Sequence, residues 1–307
     1  MQPKRQDFQD IKVLTTDVTA GSLLCGCFHV LLQRKMRRIR TCKAFDANFK
    51  LVASISNNLF CYPIDVKISQ RHGLILVANN QKREIIVLDL ETRNFKYNIP
   101  LDVEPMSMAL DDDHVVVSGE NQVLMYNILS GVRMWSYGQR KDRRELQNPI
   151  GLLVDCERII VCDSYNNRLV SLSLAGQLLE MWGTIEDLEC PYAVAIDGRG
   201  DIILVEAFRG SFKIVSNNFT KCEIVNVSEQ AQATAVSLVV DAMTQHVIVC
   251  DVYMNEIRVI SRTGRIINRF GAKGSACHQF QSPRGLSISG GCLYVADSNN
   301  HRIQVFT

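Results

Sequence analysis

The sequence is short of the features that mark most membrane proteins, metalloproteins and polyanion binders. Its net charge is only +2 over 307 residues, so any case for a nucleic-acid partner rests on local clusters rather than on a global field. Aromatic residues make up just 7% of the chain. The 11 cysteines contain no Cys-x-x-Cys pair, only Cys25-Gly-Cys27, which excludes the usual zinc frameworks. The apolar stretch "LLCGCFHVLL" is too short to span a bilayer. It also follows Asp7, Asp10 and Asp17, which a signal peptide avoids. No Gly-rich phosphate loop runs from a strand into a helix, and no Gly-x-Ser-x-Gly elbow is present. These absences lead to the expectation of a reduced, soluble, cytoplasmic protein without a membrane partner. Two Asn-x-Ser/Thr sequons, at Asn218 and Asn226, point the other way.

What the chain has in abundance is self-similarity, the property to seek before local structure. "NPIGLLVDCERIIVCDSYNNRLVSLSLAGQLLEMWG" (148–183) and "SPRGLSISGGCLYVADSNNHRIQVFT" (282–307) share one order: proline, short strand, turn, second strand ending in Asp, polar loop, then Arg opening a third strand. Related units begin at positions 63, 105, 149, 191, 235 and 283, at offsets of 42, 44, 42, 44 and 48 residues. Each complete unit holds four strand-length apolar runs bounded by Gly, Asp and Asn, as at 151–154, 158–162, 169–174 and 178–182. A lone four-stranded sheet cannot bury both faces. Copies stacked around an axis can, which predicts an all-β, six-bladed β-propeller of four-stranded antiparallel blades.

The last copy lacks its outermost strand. The segment "FDANFKLVASIS" (45–56) matches the fourth strand of other copies and is expected to pair with 302–307, completing the last blade and removing a raw sheet edge. Residues 45–307 are therefore read as the propeller. Residues 1–44 are read as a flank or a degenerate blade, which leaves seven blades as the alternative.

The motifs Pro283-Arg284-Gly285-Leu286, "YVADSNNHRIQVF" and "RFGAKGSACHQFQSP" resemble the NHL family of propellers, and the resemblance covers about 45–307. The middle copies are most similar to the NHL domains that end tripartite-motif proteins and related RNA-binding translational repressors. Departures occur: Ala235 replaces the opening proline, Glu206 replaces the Asp, and "SGENQ" stands where "ADSNN" is expected.

One branch of such propellers resembles amidating lyases that bind a central zinc through histidines. Here His72, His114 and His246 fall on turns before strand two, in blades one, two and five, too far apart to share an ion; solvent-exposed turn residues are expected instead. Asp163, Asp251 and Asp297, with Asn167-Arg168 and Asn300 and Arg302, recur from copy to copy, so they read as loop caps rather than an active site. Cys162 and Cys250 replace a small core residue. No catalytic residue, metal or cofactor is expected, and the chain reads as not an enzyme.

A surface remains. Loops between strands two and three share a face with the blade-to-blade connections. Tyr165, Phe208 and Tyr253 stand two residues past the acid in three consecutive copies, where they either stack bases or pack on their own loops. "GQRKDRRELQNP" adds Arg140, Lys141, Arg143 and Arg144, and Arg168 and Arg209 fall on the same face. Glu186, Asp187 and Glu189 limit the positive region to a sector. Rings beside cations suit single-stranded RNA, the favoured partner, in a non-catalytic module for post-transcriptional regulation. The alternative is a protein-interaction platform that selects substrates for a ubiquitin ligase. A second basic run, "QRKMRRIR" (33–40), reads as an RNA-contacting arm or a localisation signal, or equally as a solvated linker.

Overall fold

In a computed structural model of the chain, the described residues are 45, 49–56, 58–138, 145–155, 157–184, 187–207, 209–227 and 235–307. Among them, twenty-four strands form six separate four-stranded antiparallel sheets. The innermost strands are β2 (Pro63–Ser69), β6 (Ser107–Asp111), β10 (Pro149–Val154), β14 (Pro191–Ile196), β18 (Ala235–Val240) and β22 (Pro283–Ser289). Each packs on the next, and β22 packs back on β2. The ring closes at six blades, with no gap for a seventh. The expectations for residues 1–44, including the 33–40 run, lie outside the described residues.

Burial follows the position of a strand within its blade. The second and third strands, such as β3 (Leu74–Asn79) and β4 (Glu84–Asp89), carry near-continuous β-branched and leucine runs because both their faces meet neighbouring blades. The outer strands, such as β13 (Leu178–Trp182), are largely exposed. Six buried apolar clusters result, one at each blade junction.

The closing strand lies where the repeat predicts. Strand β1 (Leu51–Ser56) pairs antiparallel with β24 (Arg302–Phe306), with Ile55 opposite Ile303 and Ala53 opposite Val305. Lys50 and Thr307 exchange two backbone hydrogen bonds of 2.9 Å just beyond the strands. Hydrogen bonds are only part of the closure. The buried Phe49 ring stacks on Phe270 at 4.4 Å, and Phe45 meets Phe49 edge-on at 5.4 Å. Phe270 ends the outer strand of the fifth blade, β21 (Ile266–Phe270), so the segment that completes the sixth blade is also pinned to the fifth.

Candidate functional site

The second strand of a blade delivers its last residue beside the connection arriving from the previous blade. That connection has backbone N–H groups with no ladder partner, and an acid at the strand end accepts from them. Buried Asp163 takes the Gln147 N–H at 2.7 Å on one oxygen, and Asn166 Nδ2 at 2.8 Å and Arg168 Nε at 2.7 Å on the other. Asp297 repeats this with Gln281, Asn300 and Arg302. In the fourth blade Glu206 accepts from the Glu189 N–H at 2.6 Å, and Lys213 replaces the arginine at 2.7 Å. In the fifth, Asp251 turns to its own loop and accepts the N–H groups of Tyr253 and Met254, both at 3.0 Å. The recurring Asp-Asn-Arg constellation is loop architecture.

These caps set the fate of the residues expected to bind ligand. The Tyr165 N–H donates to Gln147 O at 3.1 Å, and its ring is 67% exposed. Tyr253 is 71% exposed, with exposed Met254 beside it, so neither tyrosine packs down on its own loop. Both lie on one face, in the third and fifth blades. Phe208, Arg140, Lys141, Arg143 and Arg144 lie outside the described residues. The other two expected cations are engaged internally. Arg168 bridges Asp163 and the Glu145 carbonyl, and Arg209 is ion-paired with Glu189. Arg83 likewise meets Glu120 at 2.7 Å and Glu104 at 3.5 Å. Among the described residues the loop face is therefore much closer to neutral than its arginine count suggests.

The axis holds a feature that spacing did not reveal. In five of the six innermost strands the ladder register breaks directly after the opening residue: between Pro63 and Asp65, Pro149 and Leu152, Pro191 and Ala193, Ala235 and Ser237, and Pro283 and Leu286. A bulge re-aims its side chain out of the ladder. Ile64, Ile150, Tyr192, Val236 and Arg284 occupy these bulges, and with Met106 they ring the loop-face end of a central channel of about 280 Å³. Gly151 and Gly285 allow the close blade contact there. A Cβ on Gly285 would lie 2.4 Å from Asp65 Cα, and one on Gly151 2.7 Å from the Tyr192 carbonyl oxygen. The glycine in Pro-x-Gly was the available signal.

Deeper in the channel, buried Asp65 is saturated. It accepts from Lys67 Nζ at 2.7 Å, from its neighbour's N–H, and from Met108 N and Ser107 Oγ of the next blade. Burial pushes the Cys162 and Cys250 thiols well above their usual range, so neither is a nucleophile. At the opposite face His72 sits on a turn beside Asp113 and His114 opens strand β7 (His114–Gly119) beside Asp111; both are half-buried, as is His246. The expectation of freely exposed histidines is corrected to that extent. His301 is on the loop face, where its Nδ1 accepts the Tyr62 N–H at 3.0 Å and joins the last blade to the first. No described helix is long and apolar enough to cross a membrane.

The NHL repeat family model matches residues 280–306, and with the six-bladed ring it supports an NHL-type propeller. A search of curated proteins found no match. Solved structures similar to the chain include virginiamycin B lyase from Staphylococcus aureus, at 14% identity and a TM-score of 0.64, covering 85% of this chain and 99% of that one. A streptogramin B lyase gives 14% identity and a TM-score of 0.64, covering 86% and 99%. A catalytically inactive virginiamycin B lyase with quinupristin gives 14% and 0.62, covering 85% and 86%. At this identity the likeness establishes the fold. It also overturns the expectation that the chain is not an enzyme, because the same ring carries lyase activity in these neighbours.

Proposed function

We propose that the chain works as a binding module that takes a protein segment across its loop face, over the mouth of the central channel. One observation carries this reading: Tyr165, Tyr253 and Met254 project from that face while the described arginines flanking them are tied to carboxylates. Tyr and Met are enriched at the centre of protein interfaces and free charge is depleted there. Among the described residues, a face so neutralised also has little counterion release to offer a phosphate backbone. Selection of ubiquitin-ligase substrates is one setting for such a module.

Single-stranded RNA remains the second reading, favoured by the same two exposed rings, since bases stack on such rings for about 1–3 kcal/mol each. Selection from a displayed random dodecapeptide library, run beside filter binding of a random single-stranded RNA pool, separates the two. The protein reading expects enriched peptides whose affinity falls at least tenfold in Tyr253→Ala or Met254→Ala. RNA binding at low salt, with a steep log-linear salt dependence and loss in Tyr165→Ala, would replace it.

A further inference from the structure

The mouth of the channel holds an arginine unlike the other described arginines of its face. Arg83, Arg168, Arg209, Arg258 and Arg302 are all paired with carboxylates. Arg284 has no ion pair among the described residues, and its Nε is buried without a hydrogen-bond partner. Its guanidinium carbon lies 5.5 Å from the centre of the Tyr62 ring, which holds the planar group in place through cation–π attraction. The bulge after Pro283 delivers it to the mouth, among Ile64, Met106, Ile150, Tyr192 and Val236. The channel's other charges, Asp65 and Lys67, cancel as a 2.7 Å pair, so Arg284 leaves the channel with one uncompensated positive charge.

A buried donor without a partner costs about 1–3 kcal/mol, and a planar guanidinium forms its strongest hydrogen bonds, in pairs, with a carboxylate. We propose that Arg284 is the anchor for a carboxylate of the bound protein segment, with the apolar rim of the mouth covering the residue that carries it. This rests on the protein-ligand reading above and narrows it to segments bearing an acidic side chain or a free C-terminus at the position over the axis. A phosphate would meet the same guanidinium, but the neutral surroundings and the narrow apolar rim favour a singly charged, planar group.

The test follows the Arg284 Nε–H resonance by NMR, identified by its disappearance in Arg284→Gln, during separate titrations with three probes. N-acetylglutamate N-methylamide offers only a side-chain carboxylate, N-acetyl-glycylglycine only a terminal one, and uridine monophosphate a phosphate. Saturable shifts with a carboxylate probe are expected, and which probe is stronger identifies the source. A response to the phosphate alone, or to none of the three, overturns the proposal. In parallel, dodecapeptides selected on the wild type are expected to be enriched in Asp, Glu or free C-termini. They should bind Arg284→Gln about tenfold more weakly, with Arg284→Lys recovering part of the loss. Selected peptides that bind Arg284→Gln undiminished sink the anchor and leave the protein reading standing. A carboxylate response with no selectable peptide does the reverse. Thermal unfolding of Arg284→Gln is expected close to the wild-type temperature, since losing the Tyr62 cation–π contact and removing the unpartnered buried Nε act in opposite directions.

Discussion

A charged side chain on this molecule is defined by its partner rather than by its place in the chain. Arg168 was legible as a loop-face cation, but its Nε is 2.7 Å from a fully buried carboxylate and its Nη2 2.7 Å from the Glu145 carbonyl. Spacing alone shows that Asp163 and Arg168 lie five residues apart. It does not show that both point into the same turn. Arg168→Ala should therefore behave as a folding variant, destabilising the protein by roughly 2–4 kcal/mol because the buried Asp163 loses its counter-charge. Urea unfolding checks this, and a loss of ligand binding at unchanged stability would return Arg168 to the surface. The small residues carry equal weight. Gly285→Ala would drive a Cβ to 2.4 Å from Asp65 Cα, so it should distort the mouth and lower the melting temperature by several degrees, read by calorimetry.

Among the described residues, four of the six blade junctions carry a polar stitch, a side-chain hydrogen bond to a carbonyl at the start of the next blade. Ser164 Oγ donates to the Pro191 carbonyl at 2.7 Å, Ser298 Oγ to the Pro63 carbonyl at 2.7 Å, Ser118 Oγ to Ile150 O at 2.6 Å, and Asn80 Nδ2 to Pro105 O at 2.8 Å. In the fourth and fifth blades Ala207 and Val252 stand where Ser164 and Ser298 donate, and neither side chain can do so. The fifth blade thus lacks this carbonyl bond on either side, although Arg262 ties it to Asp197 and Asp201 of the fourth blade and Asn255 accepts the Ser282 N–H ahead of the sixth. Ser298→Ala should cost about 1 kcal/mol, and native-state hydrogen exchange should find the fifth blade opening first. Uniform protection around the ring would refute the stitches. Closure of the sixth blade rests on apolar contact as well as on strand pairing. Phe49→Ala, which removes a stacked and buried ring, should destabilise by about 3–5 kcal/mol in denaturant unfolding.

For the whole molecule, a repeat of about 44 residues was enough to specify six blades and to place 45–56 beside 302–307, because each unit buries itself only against its neighbours. The face that carries Tyr165 and Tyr253 was legible for the same reason: equivalent loops must share a side. The mouth of the channel was not. Its bulges depend on how closely six innermost strands crowd the axis, a property no single repeat encodes, so Arg284 stood out in the sequence only as part of the Pro283-Arg284-Gly285-Leu286 motif. The expected exclusion of enzymes failed at this scale too, since one ring geometry supports both binding and catalysis in different proteins. The most direct measurement is a hydrogen-exchange footprint of the protein with and without a selected dodecapeptide. Added protection at 163–167, 251–255 and 283–286 is the result expected of a ligand lying across the loop face and the mouth. Protection confined to the outer strands, or to the opposite turns at 70–73 and 197–201, would contradict it.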